Sequence, residues 1–271
     1  MREHWSEISE IWKQVGAPLR PSKEDLEFIK LKLNQLDRKL DCLKVLVLGV
    51  TPEYYHLPWP DDTDLRAVDH TKEMIKELWP GPKESAECCE WTNLPFETSS
   101  VDLILCDGGL HLLPYPDDQK KLVNEIRRVL CPGGIFMLRL FLPPEHEQSV
   151  ESIFSNLLDG KIDNLNELKL QLWAALQENK RDGVNLHNVW TAVHEITPDL
   201  GTLASKMNRP VKHAEVLNTY KESDKKYYLI SLTDVIDLFT KSPGGFKVKK
   251  VDKTSYRLGE RCPTVTFERN F

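Results

Sequence analysis

The chain has 271 residues, of which 40% are apolar and 29% charged, with a formal net charge of −6. The length suits one large domain or one domain with an insertion, and the acidic balance without a basic stripe argues against nucleic acid as a partner. No apolar run approaches the roughly 20 residues of a membrane helix, so we expect no membrane partner. The N-terminus lacks the apolar core of a signal peptide, and the six cysteines show no metal-ligand spacing. We therefore expect a cytoplasmic protein without a metal.

Two amphipathic helices are predicted before the first strand. Residues 5–15 carry apolar side chains at spacings of three and four, and a similar pattern continues over 22–40 after a break at GAPLRPS. Ser22 is the candidate cap of the second helix, with Asp25 as its capping-box partner. The N-terminal region, 1–43, is interpreted either as a lid over a ligand, with Trp12 and Arg20 as contacts, or as helices packed on a sheet edge.

Strands and helices then alternate. Strands are predicted at 44–48, 65–69, 86–91, 101–107 and 135–141, with a helix over 117–130 and a PGG turn at 132–134. This alternation predicts a parallel sheet with right-handed crossovers.

The pattern changes after residue 143. Residues 146–206 are predicted to be mostly helical, 231–241 form another amphipathic helix, and two strands follow, the second over 263–269. The predicted organisation is a sheet domain made of 44–141 and 227–271, with a helical insertion over 142–226.

A ligand is expected where the strands end, because open α/β sheets bind ligands outside the carboxyl ends of their strands. The first strand ends at Gly49 and the second at Asp69, 69 − 49 = 20 residues later. An acidic residue at about this distance binds a ribose diol in nucleotide folds. The alternative is that Asp69 only caps the following helix.

The loop after the first strand, in VLVLGVTPEYY (45–55), has a single glycine. A pyrophosphate needs several glycines for close approach, so the loop argues against a dinucleotide. S-adenosylmethionine has no phosphate, so its binding requires only one close approach of the backbone, near Gly49. Thr51 and Pro52 form a helix-start signature, and this helix start, with Thr51 as its N-cap, is a candidate site for the ligand's carboxylate. Glu53 is a candidate partner for the ligand's ammonium group.

Four stretches resemble the class I S-adenosylmethionine-dependent methyltransferases of the small-molecule type. They are VLVLGV, AVDHTKEMI, CCEWTNLPFETSSVDLILCDGGLHLL and EIRRVLCPGGIFMLRLF, within residues 44–141. The resemblance implies a Rossmann-like, doubly wound, seven-stranded and mostly parallel sheet with a C-terminal antiparallel hairpin. It also implies S-adenosylmethionine as cofactor, S-adenosylhomocysteine as product and SN2 methyl transfer to an acceptor.

The resemblance also implies cofactor contacts. Gly49 would lie under the ligand, Asp69 would bind the ribose, and the remaining positions would surround the adenosine and the methionine part: His70, Met74, Glu90, Trp91, Thr92, Asp107 and Gly108. The alternatives without a ligand are that Met74 packs in the core and that Trp91 only packs against the sheet.

Two positions depart from the family pattern. Val47 stands where the family has an acidic residue, and Thr51 stands where it has a second glycine. Glu53 is a candidate replacement for the missing acid. A methyltransferase-like binding or regulatory protein without catalysis therefore remains an alternative, and a nicotinamide-dependent oxidoreductase is a weaker one.

The sequence contains few residues that point to a catalytic role or to acceptor binding. Methyl transfer needs alignment and exclusion of water, and a base only if the nucleophile must lose a proton. His111 is the candidate base, or else a packing histidine. His187, Trp190 and His194 share a helix face in the insertion and are candidates for a substrate wall or for an ordinary helix contact, while Tyr54 is a candidate cation–π shield of the sulfonium. We expect a small-molecule acceptor; the sequence carries no signal for its identity or for the oligomeric state.

Overall fold

The computed structural model describes residues 15–35, 42–241 and 243–271. Its nine strands, in chain order, are β1 (Lys44–Leu48), β2 (Asp64–Asp69), β3 (Ala86–Cys88), β4 (Val101–Asp107), β5 (Leu130–Arg139), β6 (Val184–Asn185), β7 (Lys226–Tyr227), β8 (Phe246–Asp252) and β9 (Thr264–Arg269). Its α-helices in the described residues are α1 (Lys23–Leu33), α2 (Pro52–Tyr55), α3 (Lys72–Leu78), α4 (Asp117–Val129), α5 (Val150–Leu158), α6 (Leu165–Ala175), α7 (Leu186–Ile196), α8 (Leu200–Lys206), α9 (Val211–Glu215) and α10 (Leu232–Thr240).

Seven of these strands form one sheet in the order β3-β2-β1-β4-β5-β9-β8. The first five run parallel, and β9 lies antiparallel between β5 and β8. The prediction of a doubly wound, mostly parallel sheet with an antiparallel hairpin at its end is confirmed.

The sheet is covered on both faces, which explains why its central strands read as continuous apolar runs. In β1, Leu46 and Leu48 belong to one hydrophobic cluster, which includes apolar residues of α4 and α10. Val45 and Val47 belong to a second cluster, which includes residues of α1 and α3. This division follows from the alternation of side chains along a strand.

Two strands differ from their predicted bounds by more than one residue. β3 spans only Ala86–Cys88 rather than 86–91, and the chain turns immediately after it. β5 starts at Leu130, before the PGG stretch, because Leu130 pairs with Val101 and the register then shifts. Gly133, at φ +76°, absorbs the irregularity that Pro132 imposes, since proline has no N–H for the ladder.

The start of α1 forms as predicted. The Asp25 amide donates to Ser22 Oγ at 3.3 Å, and the Ser22 amide donates to the Asp25 carboxylate at 2.7 Å. The helix ends at Leu33. The predicted helix over 5–15, apart from Val15, and the predicted continuation to residue 40 beyond position 35 lie outside the described residues.

The region predicted as an insertion, 142–226, is mostly helical, and residues of α5 to α9 take part in a third hydrophobic cluster. The region also contains the short strand pair β6–β7, which is too brief to leave a period in the sequence. Helix α6 is buried on almost its whole circumference, so it lies between the sheet domain and the rest of the insertion.

Candidate functional site

A pocket opens at the carboxyl ends of β1, β2 and β4. It encloses about 890 Å³ of atom-free space, part of it open to solvent. Its wall combines strand ends, N-terminal residues and insertion residues: Val15, Leu19, Leu48, Gly49, Val50, Thr51, Asp69, His70, Met74, Trp91, Asp107, Gly108, His111, Leu112, Phe141, Lys169, Trp173, Val216, Tyr220 and Tyr227. Eight of the eleven predicted cofactor positions are therefore in one wall.

The single glycine of the first loop is required by the backbone. Gly49 has φ +86°, a left-handed conformation that favours glycine. Its amide donates to the Val68 carbonyl at 2.8 Å, so the hydrogen bonding between β1 and β2 extends as far as this residue. Thr51 and Pro52 then occupy the N-cap and first position of α2, as predicted, although the Thr51 side chain makes no capping bond and the helix has only four residues.

Glu53 lies in an ion pair rather than in the described pocket wall. Arg20 Nε donates to Glu53 Oε1 at 2.7 Å, and Arg20 Nη2 lies 2.5 Å from the same oxygen. Both side chains are about one-fifth exposed. Tyr54, the candidate sulfonium shield, is buried in the cluster beneath the sheet and is not in the described wall.

Asp69 makes a local hydrogen bond and also faces the pocket. It is 6% exposed, and its Oδ1 accepts the Thr71 amide at 2.9 Å. The His70 ring lies 3.5 Å from the same oxygen, and this contact raises the pKa of His70. Asp69 can therefore cap the start of α3 and also bind a ligand, because Oδ1 accepts the Thr71 amide while the carboxylate lies in the pocket wall.

Of the three residues predicted at the edge of the adenine, only Trp91 lies in the pocket wall. Trp91 is 8% exposed, and its indole N–H donates to the Val68 carbonyl at 3.3 Å. The ring lies beside Gly49 and Gly109, so it forms part of the core and of the pocket wall at once. Glu90 is exposed and Thr92 is half-buried, and neither is in the described wall.

Asp107 and Arg139 form a buried ion pair at the ends of β4 and β5, where they are register partners. The side chains are 5% and 0% exposed. Arg139 Nη1 also donates to the Pro18 carbonyl at 2.7 Å. Burial raises the pKa of Asp107, and the guanidinium charge opposes this rise. The negative charge of Asp107, which lies in the pocket wall, is therefore balanced by the guanidinium of Arg139.

His111 follows β4 and is enclosed by aromatic rings. It stacks on Trp173 at 5.6 Å between centroids and meets the edge of Tyr227 at 4.6 Å, with Phe141 at 5.1 Å. Burial lowers the pKa of His111 to about 3, so the imidazole is neutral at physiological pH. Its Nδ1 has no hydrogen-bond partner among the described residues.

The insertion supplies wall residues that the sequence reasoning missed. Lys169 and Trp173 come from α6, Tyr220 from the turn of 3₁₀ helix at Val216–Tyr220, and Tyr227 from β7. The signal in the sequence was weak: a lysine and a tryptophan four residues apart in the apolar stretch LKLQLW share a helix face.

The predicted group His187, Trp190 and His194 does lie on one face of α7. The rings stack in sequence, at 5.8 Å and 3.9 Å between centroids. The His194 ring N–H donates to the Trp190 carbonyl at 2.9 Å. None of the three is in the described wall, so the contacts they show are those of a helix surface.

The segment 15–20 forms part of the pocket wall and is held by several hydrogen bonds. Val15 and Leu19 contribute to the wall, and the backbone is tied at Gly16 by Asn166 Nδ2, 3.3 Å from its carbonyl. The Arg20–Glu53 and Arg139–Pro18 contacts add two further ties. Trp12, the other predicted contact of this region, lies outside the described residues.

Two negative observations hold for the described part of the chain. None of its helices is long and apolar enough to span a membrane. No group of three or more His, Cys, Asp or Glu residues within 15–35, 42–241 and 243–271 lies close enough to hold a metal ion.

Comparison with known proteins gives a domain-family match and a shared fold. Residues 46–138 match a family model described as a methyltransferase domain, and no curated protein matches the sequence. Three similar solved structures show the fold. An alcohol dehydrogenase of Rhodobacter sphaeroides, described as zinc-dependent, has 12% identity and a TM-score of 0.63, with 98% of this chain and 97% of that chain covered.

The second is a Haloferax volcanii protein, described as a methyltransferase, in complex with the activator Trm112; identity is 13%, the TM-score 0.54 and coverage 100% of both chains. The third is an S-adenosylmethionine-dependent methyltransferase of Listeria monocytogenes, with 15% identity, a TM-score of 0.52, and 92% of this chain and 100% of that chain covered. Residues 46–138 thus match a methyltransferase domain, and the three solved structures, all below 25% identity, share the fold of the chain.

Proposed function

We propose that this protein transfers a methyl group from S-adenosylmethionine to a small-molecule acceptor. The observation that carries the proposal is the continuity of one pocket from the Gly49 turn and Asp69 to an aromatic chamber around His111. The chamber walls are Phe141, Trp173 and Tyr227. A concave site with a mostly apolar wall suits a small molecule rather than a polymer.

The residues at the strand ends fit the cofactor. Asp69 has a carboxylate in the wall that can accept two hydroxyl hydrogen bonds from a ribose, and Gly49 and Gly108, both at positive φ, lie in the same wall. Met74 and His70, in the same wall, would flank the adenosine. When bound, S-adenosylmethionine supplies a methyl group on a sulfonium, which is already activated for displacement.

The chain's own contribution to the reaction is to orient the acceptor and exclude water. We assign His111 to the first task. With a pKa of about 3, its neutral imidazole is a weak base but a good hydrogen-bond acceptor for an O–H or N–H of the substrate. The segment 15–20 and helix α6 serve the second task by covering the strand ends.

The test is calorimetric titration with S-adenosylmethionine and S-adenosylhomocysteine. Asp69→Ala removes the proposed ribose acceptor and is expected to weaken binding by at least about tenfold, the effect of about 1.4 kcal/mol. Asp64→Ala is the matched control, since Asp64 lies on the same strand but its side chain is exposed and paired with Arg66. Equal affinity of both variants and the parent protein would contradict the assignment of Asp69.

A non-catalytic role is separated by a second measurement. The parent protein is incubated with methyl-labelled S-adenosylmethionine and a library of small hydroxyl, amine, thiol and carboxylate compounds. Transfer of label to any compound supports the proposed reaction. Cofactor binding without transfer to any of them supports a binding or regulatory protein instead.

A further inference from the structure

Lys169 is a buried amine in the pocket wall. It is 4% exposed, and its Nζ lies 5.6 Å from the centroid of the Tyr220 ring. Burial lowers the pKa of Lys169 to about 7, with no charged neighbour contributing to the shift. Among the described residues, no carboxylate forms an ion pair with it.

The other buried polar side chains of α6 are different. Asn166 donates to the Gly16 carbonyl at 3.3 Å, and Gln171 donates to the Glu167 carbonyl at 3.2 Å. Glu167 pairs with Arg257 at 3.3 Å and accepts from Asn164 at 3.1 Å. Each of the three has a polar partner within the protein, whereas Lys169 has only the face of an aromatic ring.

An uncompensated buried amine is costly to fold, because burial penalises its charged form. Its position gives it a use. Lys169 and Trp173 lie one helical turn apart on the same face of α6, and both contribute to the wall that holds His111. An anionic group of a ligand would favour the protonated form of the Lys169 amine and would form the ion pair that the described part of the chain does not provide.

We propose that Lys169 is the anion-binding residue of the acceptor site, and that the acceptor is a small molecule with a flat apolar body and a carboxylate. The flat body matches the rings of Phe141, Trp173 and Tyr227, which surround His111. A single negative charge matches the single lysine of the described wall, while the remaining wall is mostly apolar. This inference rests on the proposed function, since it assigns the substrate class of the same pocket.

The orientation of the acceptor follows from the two ends of the pocket. Asp107 is neutralised by Arg139 and lies at the strand ends, where the cofactor is expected. Lys169 comes from the insertion. A carboxylate held by Lys169 directs the rest of the molecule across the aromatic chamber, and His111 then faces the group that receives the methyl.

The test uses matched pairs of probes: benzoate with benzamide, 2-naphthoate with 2-naphthamide, and indole-3-acetate with indole-3-acetamide. Each is titrated calorimetrically into the full-length protein, both free and saturated with S-adenosylhomocysteine. Because hydrogen bonds to charged groups are the strong ones, at least one acid is expected to bind about tenfold or more tightly than its amide.

Two variants assign the preference to a residue. Lys169→Met keeps the length of the apolar stem and is expected to abolish the preference for the acid, to leave S-adenosylhomocysteine binding unchanged and to raise the melting temperature of the ligand-free protein. Lys206→Met is the control, because Lys206 is an exposed lysine of the insertion outside the wall.

The outcomes separate the two proposals. Failure of S-adenosylhomocysteine to bind contradicts the proposed function. In that case, titration of the acids and amides into the free protein still tests whether Lys169 binds an anion. Normal binding of S-adenosylhomocysteine with no acid preferred over its amide overturns the role of Lys169. A preference that survives in Lys169→Met also overturns it.

Discussion

Replacing Asp107 by Asn tests the buried ion pair that closes one end of the pocket. The change leaves the Arg139 guanidinium, which is fully buried, without a charged partner. Breaking a buried pair from one side costs about 3–5 kcal/mol, and the low exposure of both side chains leaves little solvent screening to reduce that figure. We therefore expect Asp107→Asn to lower the free energy of unfolding by about 3–5 kcal/mol.

Urea unfolding followed by circular dichroism measures the effect. The double variant Asp107→Asn, Arg139→Met removes both charges and is expected to lose no more stability than Asp107→Asn alone, because no charge is left buried. Asp159→Asn is the control: it breaks the exposed pair between Asp159 and Lys161 and is expected to cost no more than about 1 kcal/mol.

Two results would refute the reasoning. A loss under about 1 kcal/mol in Asp107→Asn would mean that the guanidinium does not depend on this carboxylate. A double variant whose loss equals the sum of the two single losses would mean that the two side chains do not interact.

Three further predictions concern the same region. Gly109→Ala places a Cβ 2.6 Å from the Trp91 ring and 2.7 Å from Cys106 Sγ, so it should cost about 1–3 kcal/mol in urea unfolding, whereas Gly16→Ala, with nothing within 4 Å, should change stability little. Because the pKa of His111 falls from 6.5 to about 3 on folding, the unfolded chain binds the extra proton and stability should fall as pH drops below 6.5; His111→Phe should reduce that slope, and an unchanged slope would contradict the burial argument. Arg20→Met should speed S-adenosylhomocysteine release by roughly fivefold in stopped-flow, the worth of an ion pair of about 1 kcal/mol, and Glu53→Gln should match it; a rate changed by only one of the two would count against a shared tie.

The fold was predictable because its signals are local. The apolar run at 44–48 and the acidic end of β2 at Asp69 each lie within a few residues of the features they specify. The fixed spacing between Gly49 and Asp69 then placed both at the same edge of the sheet, since parallel strands share their carboxyl ends.

The acceptor end of the pocket was not predictable in the same way. Lys169, Tyr220 and Tyr227 come from three elements of the insertion that meet only through tertiary packing, so no spacing in the sequence joins them. Glu53 shows a second limit: its position after the glycine suggested a ligand contact, but Arg20, 33 residues earlier, lies against it. The Asp107–Arg139 pair required the strand register, which pattern alone does not give.

The most direct test of the methyltransferase site is a crystal structure of the protein with S-adenosylhomocysteine. We predict that the ribose hydroxyls bond to the Asp69 carboxylate, that the amino acid part lies against Gly49 and Gly108, and that the sulfur faces the chamber of His111. Density for the ligand at another place in the molecule, or in this pocket without contact to Asp69, would contradict the site proposed for this protein.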